Sequence, residues 1–265
     1  MARYFFEVAY KGTTYAGFQI QENAVTIQSK LEEALNTIHG FTAAKNSIEE
    51  QLRFRLTGSS RTDAGVHAHQ NFFHADVDHP LHPQTGYKVN AILPHDIVLK
   101  RILTMPGTAH CRFDAVSRTY RYSIHQSKNP FTAGLSYYYP YRLDLELLQA
   151  CAGEVLQAQD FAAFAKTSSN AKTTRCHILE SMWEVEGPRL SYHIKGSRFL
   201  RGMVRLLTAT QLRVARQKTS LHEFQCMLMG HSKAVHAAPA AGLALMQVSF
   251  PDDYFKGAAI VFTCL

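Results

Sequence analysis

Aromatic and β-branched residues run through Arg3-Tyr4-Phe5-Phe6-Glu7-Val8-Ala9-Tyr10, which predicts a strand with Tyr4, Phe6, Val8 and Tyr10 on one face. A glycine- and threonine-rich loop, residues 11–21, interrupts the pattern. Apolar residues then recur at helical spacing at Ile27, Leu31, Ala34, Leu35 and Ile38. With Thr26 as N-cap and Gly40 as C-cap, they predict a core-packing helix. Strands are expected at residues 52–56 and 71–75, on either side of a polar loop containing two glycines. A short helix over residues 87–93 should stop at Pro94, and residues 97–99 with 102–103 read as another strand.

The order strand, helix, strand, strand, helix, strand resembles a ferredoxin-like unit. A similar order follows. Residues 117–125 predict a strand with Tyr120, Tyr122 and Ile124 on one face and Arg121 and Ser123 on the other. Leu145, Leu148, Ala152, Val155 and Leu156 form a helical stripe, and residues 178–185 and 190–194 a hairpin across Gly187-Pro188. A long helix over about 199–217, a shorter one over 223–229 and a strand over 243–250 complete the pattern. The fold expected is α+β: two ferredoxin-like lobes with mixed or antiparallel sheets and helices on one side. Their expected bounds are 1–112 and 113–251, followed by a tail, 252–265.

Composition narrows the class. With 46% apolar and 18% charged residues in 265, the chain has enough apolar content for a globular core. A net charge of +7 suits a polyanionic partner such as nucleic acid. Five cysteines without a C-x-x-C pair indicate neither a disulfide framework nor a Cys-rich zinc site, which fits a reducing compartment. There is no signal-peptide pattern and no apolar run of membrane-spanning length, so a cytoplasmic location is expected.

The chemistry concentrates at Gly58-Ser59-Ser60-Arg61-Thr62-Asp63-Ala64-Gly65-Val66-His67-Ala68. Asp63 is its one carboxylate and Arg61 lies two residues away, a neighbour that favours the ionised form. An ionised carboxylate can act as a nucleophile, or Asp63 can simply cap a turn. Arg118-Thr119-Tyr120-Arg121-Tyr122 either packs its tyrosines inward or offers aromatic faces and guanidiniums to an unstacked base and its phosphates. Arg198, Arg201, Arg205, Arg213 and Arg216 line the long helix opposite Phe199, Met203, Leu206 and Leu207, as a solvated basic face would. His67, His69, His74, His79 and His82 lie near Asp76 and Asp78, but no Glu or Cys partner stands at metal-ligand spacing, so no metal is assigned.

Arg61-Thr62-Asp63-Ala64-Gly65-Val66-His67-Ala68 resembles the catalytic segment of the TruA family of tRNA pseudouridine synthases. Tyr10-Lys11-Gly12-Thr13-Thr14-Tyr15-Ala16-Gly17-Phe18-Gln19-Ile20-Gln21 is similar to the family's opening motif, with Phe18 replacing the usual Trp. Phe199-x-x-x-Met203-Val204-Arg205 and Pro239-Ala240-Ala241-Gly242-Leu243-Ala244-Leu245 resemble its later motifs. The resemblance implies a two-lobed enzyme with its cleft between the lobes. It isomerises uridine to pseudouridine in the tRNA anticodon stem-loop, positions 38–40, with a flipped-out base and no cofactor, and works as a homodimer. On these matches Asp63 is the nucleophile, Arg205 its ion-pair partner and Tyr120 a residue of the catalytic pocket. Leu243 or Leu245 walls the uracil; Arg61, Arg118, Arg121, Arg198 and Arg201 contact RNA. Departures stand at Ser29, Ser60 and Ala209, where glycine is common, and at Leu206, where Asn often follows the arginine. They leave open a paralogue acting on another RNA or an RNA-binding module without catalysis. A His-dependent metallohydrolase is a third reading, set apart by sensitivity to chelators.

Overall fold

The computed structural model describes residues 1–40, 54–166 and 172–264. Contacts divide the chain into two units, Met1–Val116 with Gln247–Leu265, and Ser117–Met246. In the first, β1 (Ala2–Tyr10) is flanked antiparallel by β3 (His67–Val77) and β4 (Ile97–Met105), and Phe6 lies opposite Phe73 on one side and Ile102 on the other. A two-residue strand, β2 (Thr57–Gly58), pairs with β3. Helix α1 (Ile27–Ile38) buries Ile27, Leu31, Ala34 and Leu35, the predicted stripe. Thr26 caps it by accepting from the Ser29 amide at 3.1 Å, and Ser29 Oγ accepts from the Thr26 amide at 3.0 Å. Ser29 therefore closes a capping box. Helix α2 (Thr85–Ile92) starts two residues before the predicted point.

Two sequence expectations change here. Residues 52 and 53 of the expected strand 52–56 lie outside the described residues, and residues 54–56 form no strand. Side chains of α1 take the place of a partner strand. Asn36 Oδ1 accepts from the Phe54 amide at 2.9 Å, Glu32 Oε1 from the Leu56 amide at 2.8 Å, and Gln28 donates to the Leu56 carbonyl at 2.8 Å. Backbone groups in a buried segment need partners, and these supply them without a ladder. The second change concerns β1, which is buried on both faces: Phe5 and Glu7 are as enclosed as Tyr4 and Phe6.

The residues after β9 (Leu243–Ser249) explain the second covered face. Phe250 stands edge-on to Phe72, with centroids 5.3 Å apart, and Phe255 stacks on Phe72 at 5.8 Å. Tyr254 donates to Asp114 Oδ2 at 2.6 Å. The chain then forms β10 (Ala259–Thr263) antiparallel to β4, giving the order β10-β4-β1-β3. The Phe262 ring occupies the space where a side chain on Gly86 would stand. The tail is thus built into the first unit.

In the second unit β5 (Ser117–His125) pairs antiparallel with β8 (Arg189–Gly196), which pairs antiparallel with β7 (Ile178–Glu186) in the predicted hairpin. Strand β6 (Tyr137–Tyr138) runs parallel to β5, so the sheet is mixed. Helix α3 (Leu145–Gln157) buries Leu148, Cys151, Ala152 and Val155. Helix α4 (Met203–Ala215) buries Met203, Leu206 and Leu207 among others, and its Gln211 accepts from the Trp183 indole at 2.8 Å. Helix α5 (Leu221–Leu228) begins after a Ser220–Glu223 capping box. The long helix starts at Met203 rather than near 199, because Gly202 adopts φ +73°, a left-handed turn that α-helix cannot contain. Arg198 and Arg201 therefore precede the helix instead of lying on its face. The architecture is α+β, as expected.

Candidate active site

Strand β3 already begins at His67, which leaves residues 59–66 as the loop carrying Asp63. The opening motif holds this loop from below. The Phe18 amide donates to the Thr62 carbonyl at 3.1 Å, and the Gly65 amide to the Tyr15 carbonyl at 3.3 Å. The Gly12 amide donates to His67 Nδ1 at 3.0 Å. Because a backbone amide only donates, His67 is unprotonated at that nitrogen. Glycine is required at position 12, where a Cβ would lie 2.0 Å from the Val66 carbonyl oxygen. Phe18 stacks on Phe73 with centroids 4.4 Å apart and fills the space beside Gly58. Two motifs more than forty residues apart in sequence thus form one scaffold.

Within the loop the Val66 amide closes a turn on the Asp63 carbonyl at 3.1 Å. Asp63 is half-buried between buried Thr62 and exposed Ala64, and Arg61 is exposed. Tyr10 Oη and Thr62 Oγ1 are 2.8 Å apart. Asn71 joins them from β3, a residue that no sequence pattern singles out.

The other nominated residues belong to the second unit. Tyr120 is half-exposed and meets Phe199 edge-on, centroids 5.1 Å apart. Arg118, on the same face of β5, donates to the Ser197 carbonyl at 3.1 Å. Tyr122 is core: it is fully buried and donates to the Pro239 carbonyl at 2.8 Å, while Gly242 makes room for its ring. Arg205 Nε donates to the Ala238 carbonyl at 2.7 Å, and the Ala238 amide donates back to the Arg205 carbonyl at 3.0 Å. The closing segment is therefore tied to both β5 and α4. Leu243 and Leu245 are buried, and Leu245 has no exposed surface. Arg121 points to the opposite side of β5 from Tyr120 and sits across from His193. Arg198 is half-buried and Arg201 exposed.

The histidines do not converge. His74 lies 3.1 Å from the Cys111 thiol, His79 pairs with His39 at 3.3 Å, and His82 accepts from the Gln84 amide. Among the described residues no group of three or more His, Cys, Asp or Glu side chains could hold a metal ion. Burial, with His110 and Arg3 nearby, pushes the His74 imidazole down to about 4.

A sequence model of the family described as tRNA pseudouridine synthase matches residues 158–251. The tRNA pseudouridine synthase A of Porphyromonas gingivalis is 37% identical over 262 residues, covering 96% of this chain and 100% of that protein. That of Parabacteroides distasonis is 36% identical over 259 residues, covering 96% and 98%. The Staphylococcus aureus (strain MRSA252) protein of the same name is 33% identical over 254 residues, covering 93% and 91%. The chain belongs to the TruA family of tRNA pseudouridine synthases. Two of its departures from the TruA pattern have local structural roles. Ser29 completes the α1 cap, and Leu206 is buried on α4. Ser60 is buried and its backbone carbonyl accepts from Asn71, a contact glycine would also make; nothing in the structure explains its side chain or Ala209. No helix among the described residues is long and apolar enough to cross a membrane.

Proposed function

We propose that this protein isomerises uridine to pseudouridine in the anticodon stem-loop of tRNA, at positions 38–40, with Asp63 as nucleophile. The near-full-length similarity to proteins named tRNA pseudouridine synthase A carries this reading. The fixed loop around Asp63 supports it. The target base must leave its stack before its glycosidic bond is accessible. Asp63 then bonds to the ribosyl-uracil, and the bond from C1′ to uracil N1 breaks. The uracil turns and C1′ bonds to C5 as the bond to Asp63 breaks and its carboxylate is released; the C5 hydrogen leaves as a proton, and N1 ends protonated. Dividing one difficult displacement into two steps is the gain from covalent catalysis.

Arg205 is assigned as the ion-pair partner that directs Asp63. Tyr120, held edge-on by Phe199, is the aromatic contact for the flipped base. Leu243 is the apolar wall, since Leu245 is fully enclosed. Arg61 is assigned to contact RNA or prop the gap left by the flipped base, Arg118, Arg121, Arg198 and Arg201 to phosphates, and a homodimer in the cytoplasm is the proposed working form. Mapping pseudouridine by carbodiimide adducts and primer extension on unmodified tRNA tests the reading. Wild type should modify positions 38–40, and Asp63→Asn should modify none while still binding tRNA. Modification at other positions only would assign the protein another target.

A further inference from the structure

The Asp63 loop stands on a closed hydrogen-bond network centred on Asn71, whose side chain has no exposed surface. Two contacts fix the direction of its amide. The Phe72 amide only donates, so the atom 3.0 Å from it is Oδ1; the Ser60 carbonyl only accepts, so the atom 3.0 Å from it is Nδ2. The remaining directions follow. The Ser59 hydroxyl donates to Oδ1 at 2.7 Å, and the second Nδ2 hydrogen goes to Tyr10 Oη at 3.2 Å. Tyr10 then has its own proton for Thr62 Oγ1, 2.8 Å away. Ser59, Thr62 and Tyr10 are buried as well. Asn71 therefore reaches Ser59 and Ser60 directly and Thr62 through Tyr10, three of the four residues leading into Asp63.

We propose that Asn71 is a positioning residue: through Ser59, Ser60 and the Tyr10–Thr62 link it sets the direction of Asp63 without touching RNA. The inference rests on the reading of Asp63 as the reacting carboxylate. Position 71 faces a donor, an acceptor and two hydroxyls at once, and the asparagine amide satisfies all four. A carboxylate there would set oxygen against the Ser60 carbonyl and release the loop at that point. Small misplacements of a reacting group cost rate far more than they cost binding.

Tyr10→Phe removes one hydroxyl and keeps the ring. Its kcat should fall about ten- to a hundredfold with KM for tRNA within about twofold, the signature of lost alignment rather than lost affinity. Asn71→Asp should recover activity relative to wild type as pH falls, because the protonated acid donates one of the two lost hydrogen bonds. In both variants the amides of residues 62–66 should exchange with solvent faster than those of β1. That exchange is read without turnover. If wild type itself formed no pseudouridine, the functional reading would fail, and exchange would still decide whether Asn71 holds the loop. Should Tyr10→Phe not fold, Thr62→Val breaks the same link from the loop side. A folded variant with wild-type kcat and unchanged loop exchange would overturn the proposal, as would a loss seen in melting temperature alone.

Discussion

Gly12 and Val66 meet so closely that neither can yield. A Cβ on residue 12 would stand 2.0 Å from the Val66 carbonyl oxygen and 2.7 Å from its carbon, both backbone atoms. Gly12→Ala should therefore push the Asp63 loop outward and destabilise the protein by about 1–3 kcal/mol. Denaturant unfolding checks this, and wild-type stability would contradict the close contact. At this scale the sequence was readable where an unusual residue type announces itself. The Asp63 loop, the glycines of the opening motif and the tyrosine pair on β5 were all visible as pattern. Asn71 was not, because one polar residue in an apolar strand is indistinguishable from a solvent-facing one until its partners are known. Thr62 is hidden differently, as one polar residue among several in a loop where Asp63 draws the chemical reading.

Elements defined by periodicity were found within a few residues: β1, α1, β5, the β7–β8 hairpin and α3. Those set by tertiary partners depart from the sequence pattern. Residues 54–56 look like a strand, yet Asn36, Glu32 and Gln28 of α1 satisfy their backbone. Phe199 continues the apolar stripe and so predicts an earlier start for α4; only the backbone angle at Gly202 reveals the break. The tail gave no signal, since its role depends on where Phe250, Tyr254 and Phe255 land. Removing residues 252–265 should expose Phe5 and Phe72 and free the β4 edge. A clear fall in melting temperature by circular dichroism is expected, given the area an aromatic side chain buries. Unchanged melting would show that the tail is dispensable to the fold.

For the whole molecule, His74 links folding to pH. Its imidazole is neutral when buried, with its pKa pushed down to about 4, whereas the unfolded chain titrates near the usual 6.5. Between those values the unfolded state binds the extra proton, so stability is complete above about 6.5 and is lost as pH falls toward 4. His74→Gln should flatten the fall in melting temperature over that window, and an unchanged pH dependence would contradict the assignment. The net charge of +7 acts on the same scale by drawing a polyanion to the surface, but it does not select one. The proposed function places the chemistry on Asp63. The most direct test of that claim is tritium release from tRNA labelled at uracil C5, with wild type beside Asp63→Asn and excess chelator present. Transfer of the glycosidic bond to C5 expels that hydrogen, so release by wild type alone is the predicted result. Equal release by Asp63→Asn, or none by wild type from unmodified tRNA, would contradict it.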